Sequence, residues 1–143
     1  MKTVRSLLQA KGDDVWSIGP DASVYEALKL MADKNVGALL VLERGELVGV
    51  ISERDYARKV VLRGRSSRDT AIRDIMTTQV LAVGPEQSVE ECMALMTQQH
   101  IRHLPVLAEG RLIGIISIGD VVKSIITEQE FMIQQLTNYI VGR

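Results

Sequence analysis

The stretch "GVISERDYARKVV", Gly49 to Val61, begins as a strand and ends as a helix, and the residues at the change decide the fold. Val48, Val50 and Ile51 have the β-branched density of a buried strand, whereas Tyr56 and Val60 recur at helical spacing. Between them stand Ser52, two charges and Asp55. The chain writes the same arrangement 65 residues later as "GIISIGDVVKSII", Gly114 to Ile126, and keeps the glycine, the Ile, the Ser and the Asp.

Working outward from these two stretches, residues 19–61 align with 84–126 without a gap, and 16 of 43 positions are identical. The chain is therefore an internal duplication, and each copy is one structural unit. A unit of about 60 residues buries too little surface to be stable by itself; two copies packed through their sheets share a core. In each copy a Ser-x-x-Glu capping box, Ser23 with Glu26 and Ser88 with Glu91, starts a helix with an apolar stripe. Two short strands follow, "ALLVL" then "LVGVIS" in the first copy and "HLPVL" then "LIGIIS" in the second, with Gly45 and Gly110 at the bends. The expected order per unit is β-α-β-β-α. A last stripe of Ile133, Leu136, Tyr139 and Ile140 extends the final helix. The connector at 62–76 is basic, then forms a short helix expected to begin at Asp69 or Thr70. The repeat divides the chain into residues 1–68 and 69–143.

Composition narrows the function. Apolar residues make up 46% of the chain but only 3% are aromatic, so the core is built from Val, Ile, Leu, Ala and Met. The net charge of −1 supplies no global attraction to nucleic acid or anionic lipid. The uncharged runs "VGALLVL" and "LIGIISIG" fall far short of the roughly 18 apolar residues of a membrane span. The N-terminus lacks the apolar centre of a secretory signal, and Cys92 is the lone cysteine, so a cytoplasmic location is expected.

Ser-x-x-Asp at a strand-to-helix junction has two readings. In one, Ser52 and Ser117 are N-caps, with Asp55 and Asp120 adding favourable charge near the helix start. In the other the carboxylates are reserved for a ligand. Three details favour a ligand: the chain's other capping boxes use the longer Glu; Gly49 and Gly114 sit inside a strand, where glycine marks a close approach; and a helix N-terminus offers free amides to phosphate. A carboxylate there can accept from both vicinal hydroxyls of a ribose. The pattern fits a nucleoside monophosphate.

The duplicated G-[VI]-I-S-x-x-D, the strand "IRHLPVL" and the entry "DIMTTQVLAVGPEQSVEECMALM" resemble the cystathionine-β-synthase (CBS) domain, here as a stand-alone tandem pair, or Bateman module. The resemblance runs over nearly the whole chain, from about residue 5 to 130. It implies an α/β (α+β) fold of two pseudo-symmetric units with an extended C-terminal helix. It also implies a non-catalytic sensor that binds AMP, ADP or ATP, or else S-adenosylmethionine or NAD(H), in the cleft between the units. Such a module signals by conformational change to a regulated protein, here unidentified, and a homodimer is expected. By matching positions, Asp55 and Asp120 hold ribose, Ser52 and Ser117 meet phosphate, and Thr77 and Val80 cradle adenine in the second unit, with Val15 as the first-unit counterpart. The copies differ where Arg102 and His103 replace Gly37 and Ala38, and where Arg54 becomes Gly119. Arg54, Arg102 and His103 are accordingly candidate phosphate contacts, and the two pockets have different phosphate surroundings.

Other chemistries find less support. His100 and His103 lack the further donors of a metal site, and Cys92 lies on an apolar helical stripe with no base beside it in sequence. Neither G-x-x-x-x-G-K-[ST] nor G-x-G-x-x-G occurs. The main rival is nucleic-acid binding through Arg58, Lys59, Arg63, Arg65 and Arg68, but no aromatic residue is interleaved with them to stack on bases.

Overall fold

The computed structural model describes residues 2–12 and 14–141. The elements in chain order are α1 (Val4–Lys11), β1 (Ser17–Ile18), α2 (Val24–Lys34), β2 (Ala38–Glu43), β3 (Glu46–Ser52) and α3 (Glu53–Tyr56), which runs on through a π-wound segment, Ala57–Val61. After a 3₁₀ turn at Ile72–Asp74 come α4 (Val89–Gln99), β4 (His103–Ala108), β5 (Arg111–Ser117) and the long α5 (Ile118–Ile140). The result is a mixed α/β fold with two small sheets.

The sequence repeat becomes a structural repeat down to its irregularities. β2 pairs antiparallel with β3 so that Ala38 faces Ser52 and Leu40 faces Val50, and a bulge falls between Val41 and Leu42. β4 and β5 repeat this register, His103 facing Ser117 and Pro105 facing Ile115, with the bulge between Val106 and Leu107. Each hairpin closes in two residues with positive φ, Arg44 and Gly45 or Glu109 and Gly110. Such primed turns match the right-handed twist of the strands, which is why a glycine is needed at each bend. The strand before α2 pairs parallel with β2, whereas its counterpart is a single bridge from Val83 to Val106.

Contacts gather the chain into two compact units that differ from a division at 68/69. One is Val15–Leu81; the other joins the segment ending at Asp14 to the chain from Ala82 onward. The reason is hydrogen bonding and burial at the start of each repeat. The amide of Val24 donates to Thr70 O, that of Ile72 to Ala22 O, and Val50 and Thr77 exchange a pair of bonds, tying 70–77 to the first repeat. Likewise Val4 donates to Gln87 O and Val89 to Lys2 O, and α1 inserts Val4, Leu7 and Leu8 into the core formed by α4, β4, β5 and Val121. The connector's short helix starts later than expected. Ala71 is its N-cap, because the Thr70 hydroxyl is spent on Ser66 O at 2.7 Å.

Candidate functional site

At the end of β3, Ser52 caps α3: its hydroxyl accepts from the Asp55 amide at 3.2 Å, and Asp55 Oδ2 accepts from the Ser52 amide at 2.9 Å. Ser117 and Asp120 do the same at the start of α5, with the Ser117 amide 2.8 Å from Asp120 Oδ2. Both pairs are therefore full capping boxes like Ser23–Glu26 and Ser88–Glu91. The expected contrast between a reaching Glu and a shorter, reserved Asp does not hold, since Asp spans the same turn at ordinary hydrogen-bond length. The capping reading is geometrically correct. What sets these two boxes apart is what else their carboxylates hold.

Asp55 is buried, with 8% of its surface exposed. Its Oδ1 is met by Lys59 Nζ at 3.0 Å and by the Thr77 hydroxyl at 3.3 Å, while Lys59 also donates to Ile75 O at 2.9 Å. Lys59 lies four residues beyond Asp55 on the same helical face, a spacing that favours such a pair. In the other unit position 124 is a serine, and the cation comes instead from α1: Lys11 Nζ lies 2.7 Å from Asp120 Oδ2 and 2.8 Å from Ile115 O. Each repeat thus pairs its junction aspartate with a lysine that also caps a nearby carbonyl, and the two lysines come from unrelated places in the sequence. Lys11 carried no sequence signal; Lys59 carried the i,i+4 spacing.

Electrostatics differ between the two sites. Burial alone would raise the Asp120 carboxyl, but hydrogen bonds from Lys11 and Ser117 outweigh it and hold the pKa below its ordinary value. His103, opposite Ser117 in the hairpin, is pushed below the usual imidazole value by burial, with Lys11 and Arg102 adding to the effect against the pull of Asp120. The corresponding position in the first unit is Ala38. Arg102 is exposed and offers its carbonyl to the Ile118 amide at 2.8 Å, as Gly37 does to Glu53 at 3.0 Å. Arg54 is exposed beside Asp55.

The glycines at the junction mark close approaches, and the neighbours are protein. A Cβ on Gly49 would lie 2.8 Å from Met76 Sδ and 3.0 Å from Thr77 O; one on Gly114 would lie 2.7 Å from Leu8 Cδ2. The expected adenine-cradle residues also regroup. Val15, Thr77 and Val80 all belong to the Val15–Leu81 unit, and Thr77 reaches the carboxylate of the first repeat.

Of the basic residues after α3, Lys59 is held by Asp55, Arg65 lies 3.8 Å from Asp74 and Arg68 stacks on Tyr25 at 3.9 Å. Cys92 is fully buried, and its thiol is raised to about 11 by burial and the Glu91 charge, so it is inert core. Among the described residues, no three His, Cys, Asp or Glu side chains gather as metal donors, and no helix is long and apolar enough to cross a membrane.

Comparison with known proteins adds a family. A model of the CBS domain matches residues 5–62 and 72–127. The mitochondrial CBS domain-containing protein CBSX3 of Arabidopsis thaliana is 43% identical over 98% of this chain and 72% of its own. A solved protein with CBS domains from Burkholderia ambifaria superposes with a TM-score of 0.88 at 53% identity, covering 90% of this chain and 96% of that one. A CBS domain pair solved in complex with 5′-methylthioadenosine and S-adenosylmethionine shares the fold, with a TM-score of 0.79 at 23% identity over 90% of this chain and 98% of that one.

Proposed function

Since the chain belongs to the CBS domain family, whose paired domains are regulatory modules, we propose that it is a non-catalytic sensor of adenosyl compounds, with one binding site in each unit at the Ser-x-x-Asp junction. The observation that carries this reading is the lysine on each carboxylate. A cap needs only the backbone amide, yet both aspartates also hold a movable cation supplied from different parts of the sequence. An ammonium on a flexible stem is a displaceable partner.

In this reading the vicinal hydroxyls of a ribose take the place of Lys59 and Thr77 on Asp55, and of Lys11 on Asp120. The released lysine stays near the junction, where Ser52 or Ser117, helped by Arg54 in one unit and by Arg102 and His103 in the other, meets phosphate. Val15, Thr77 and Val80 line the adenine in the first unit. AMP, ADP and ATP are the first candidates, and S-adenosylmethionine and NAD(H) the next; the solved pair holding S-adenosylmethionine supports the adenosyl class. The protein acts in the cytoplasm as a homodimer, and a regulated protein reads the ligand-dependent arrangement. A ligand can drive this only by preferring one arrangement over another. Internal use of Lys59, Arg65 and Arg68 leaves a nucleic-acid surface with less support.

Calorimetric titration with AMP, ATP, NAD and S-adenosylmethionine tests the reading. At least one should bind the wild-type chain, and Asp55→Ala and Asp120→Ala should each weaken one site about tenfold or more, as expected when a charge-assisted hydrogen bond is lost. No binding by any of them, or unchanged affinity in both variants, sinks it.

A further inference from the structure

We propose that the projecting tip of the first repeat, from Arg58 to Arg65, docks on an anionic lipid surface, with Val61 and Leu62 entering the headgroup boundary and the arginines meeting lipid phosphates. Every residue from 61 to 66 is exposed, and a Cβ on Gly64 would meet nothing within 4 Å, so the stretch stands out from the fold. Its shape is nevertheless fixed. Val60 roots it in the core at 1% exposure, and the amides of Leu62, Gly64 and Arg65 donate to the carbonyls of Ala57, Val61 and Val60 at 3.1, 3.1 and 2.9 Å. On this tip Val61 and Leu62 are 52% and 78% exposed. A lone exposed leucine is ordinary; an aliphatic pair among unneutralised cations is the composition of an interfacial anchor. Among the described residues, the side chains of Arg58 and Arg63 make no hydrogen bond or ion pair, and Arg65 has only a loose 3.8 Å contact with the exposed Asp74. Lys59 and Arg68 are held inside the unit by Asp55 and Tyr25 and are not counted. The nearest acids in sequence, Glu53 and Asp69, lie outside the stretch.

The duplication supplies an internal control. At the constant offset of 65, Leu62, Arg63 and Arg65 correspond to Thr127, Glu128 and Glu130, so the second copy replaces the leucine and inverts the charge. The basic, aliphatic tip is therefore no by-product of the repeat fold. Charge and shape together select the occupant. A projecting tip offers no concavity for a peptide or a small molecule. A second copy meeting it about a two-fold axis would set the same arginines against one another. Single-stranded nucleic acid wants open aromatic faces, and the ring of Tyr25 is already covered by Arg68 at 3.9 Å. An anionic lipid surface uses both features at once, the cations for its phosphates and the aliphatic pair for its acyl boundary. With a net charge of −1 for the whole chain the attraction is local, and the docking is reversible and screened by salt.

Co-sedimentation of the full chain with vesicles of phosphatidylcholine, with and without phosphatidylglycerol, tests the docking. The wild type should bind the anionic vesicles alone, and less tightly as salt is raised. Arg63→Glu should weaken that binding about thirtyfold, the effect of reversing one charge at the surface, and Leu62→Ser about tenfold at unchanged charge. Both side chains are exposed and unbonded, so thermal melting of the two variants should match the wild type and separate lost docking from lost folding. An environment-sensitive dye on Leu62→Cys should shift to the blue with anionic vesicles, whereas the same dye on Glu128→Cys, at the corresponding place in the second repeat, should not. No binding to anionic vesicles, equal binding to both kinds, affinity indifferent to Leu62→Ser, an equal dye shift at 62 and 128, or a Leu62→Ser variant that changes only the oligomeric state or only the affinity for duplex DNA each overturns the proposal.

Discussion

At the scale of single residues, Asp120, Lys11 and His103 make one unit responsive to acid. The folded His103 binds its proton less readily than an unfolded histidine, so its contribution to stability is present above the ordinary imidazole value near 6.5 and is lost as pH falls below it. Asp120 has the same sign lower down: its folded pKa lies below 3.8, so its contribution is present above that value and lost as pH falls through the folded pKa. Thermal melts should therefore show stability falling between pH 7 and pH 5, with a flatter profile in His103→Gln; an identical slope in that variant would refute the assignment. The first unit, with Ala38 in this place, has no equivalent. Sequence comparison located His103 and Arg102 as the asymmetry, but not the lysine that completes it. A cation 109 residues away leaves no mark on a local pattern.

At the scale of elements, the hairpin–helix junction is built from short-range rules and was legible in advance. The period-two strands, the glycine turns and the Ser-x-x-acid caps depend on residues two to four apart, and both copies realise them in the same register. What crosses the strand at its glycine was not legible. Over Gly49 the neighbour includes the backbone oxygen of Thr77, which cannot move without breaking its bridge to Val50; over Gly114 it is the end of the Leu8 side chain, which can rotate. Gly49→Ala should consequently cost more than Gly114→Ala, about 2 kcal/mol against about 1, as overpacking without and with room to adjust. Chemical denaturation of the two variants measures this, and a reversed order would contradict the packing described.

At the scale of the whole molecule, the N-terminal helix is a structural part of the second repeat. Removing residues 1–12 takes Val4, Leu7 and Leu8 from its core and Lys11 from Asp120. Each lost apolar side chain costs about 2 kcal/mol or more, enough to unfold a small unit. Hydrogen exchange of the truncated chain should show protection lost across α4, β4 and β5 and kept in β2 and β3; uniform loss or uniform retention would contradict the grouping. The amino-acid sequence alone determined the duplication, the order of strands and helices, the turn glycines, the caps and the position of both aspartates, because all of these rest on periodicity and hydrogen bonds between near neighbours. Only the tertiary structure decided that 2–11 builds the second unit, that Thr77 belongs to Asp55, and which lysine answers each carboxylate. Those contacts depend on where distant segments cross, and a charge or a methyl group does not encode in its own neighbourhood the partner that chain crossing will bring to it.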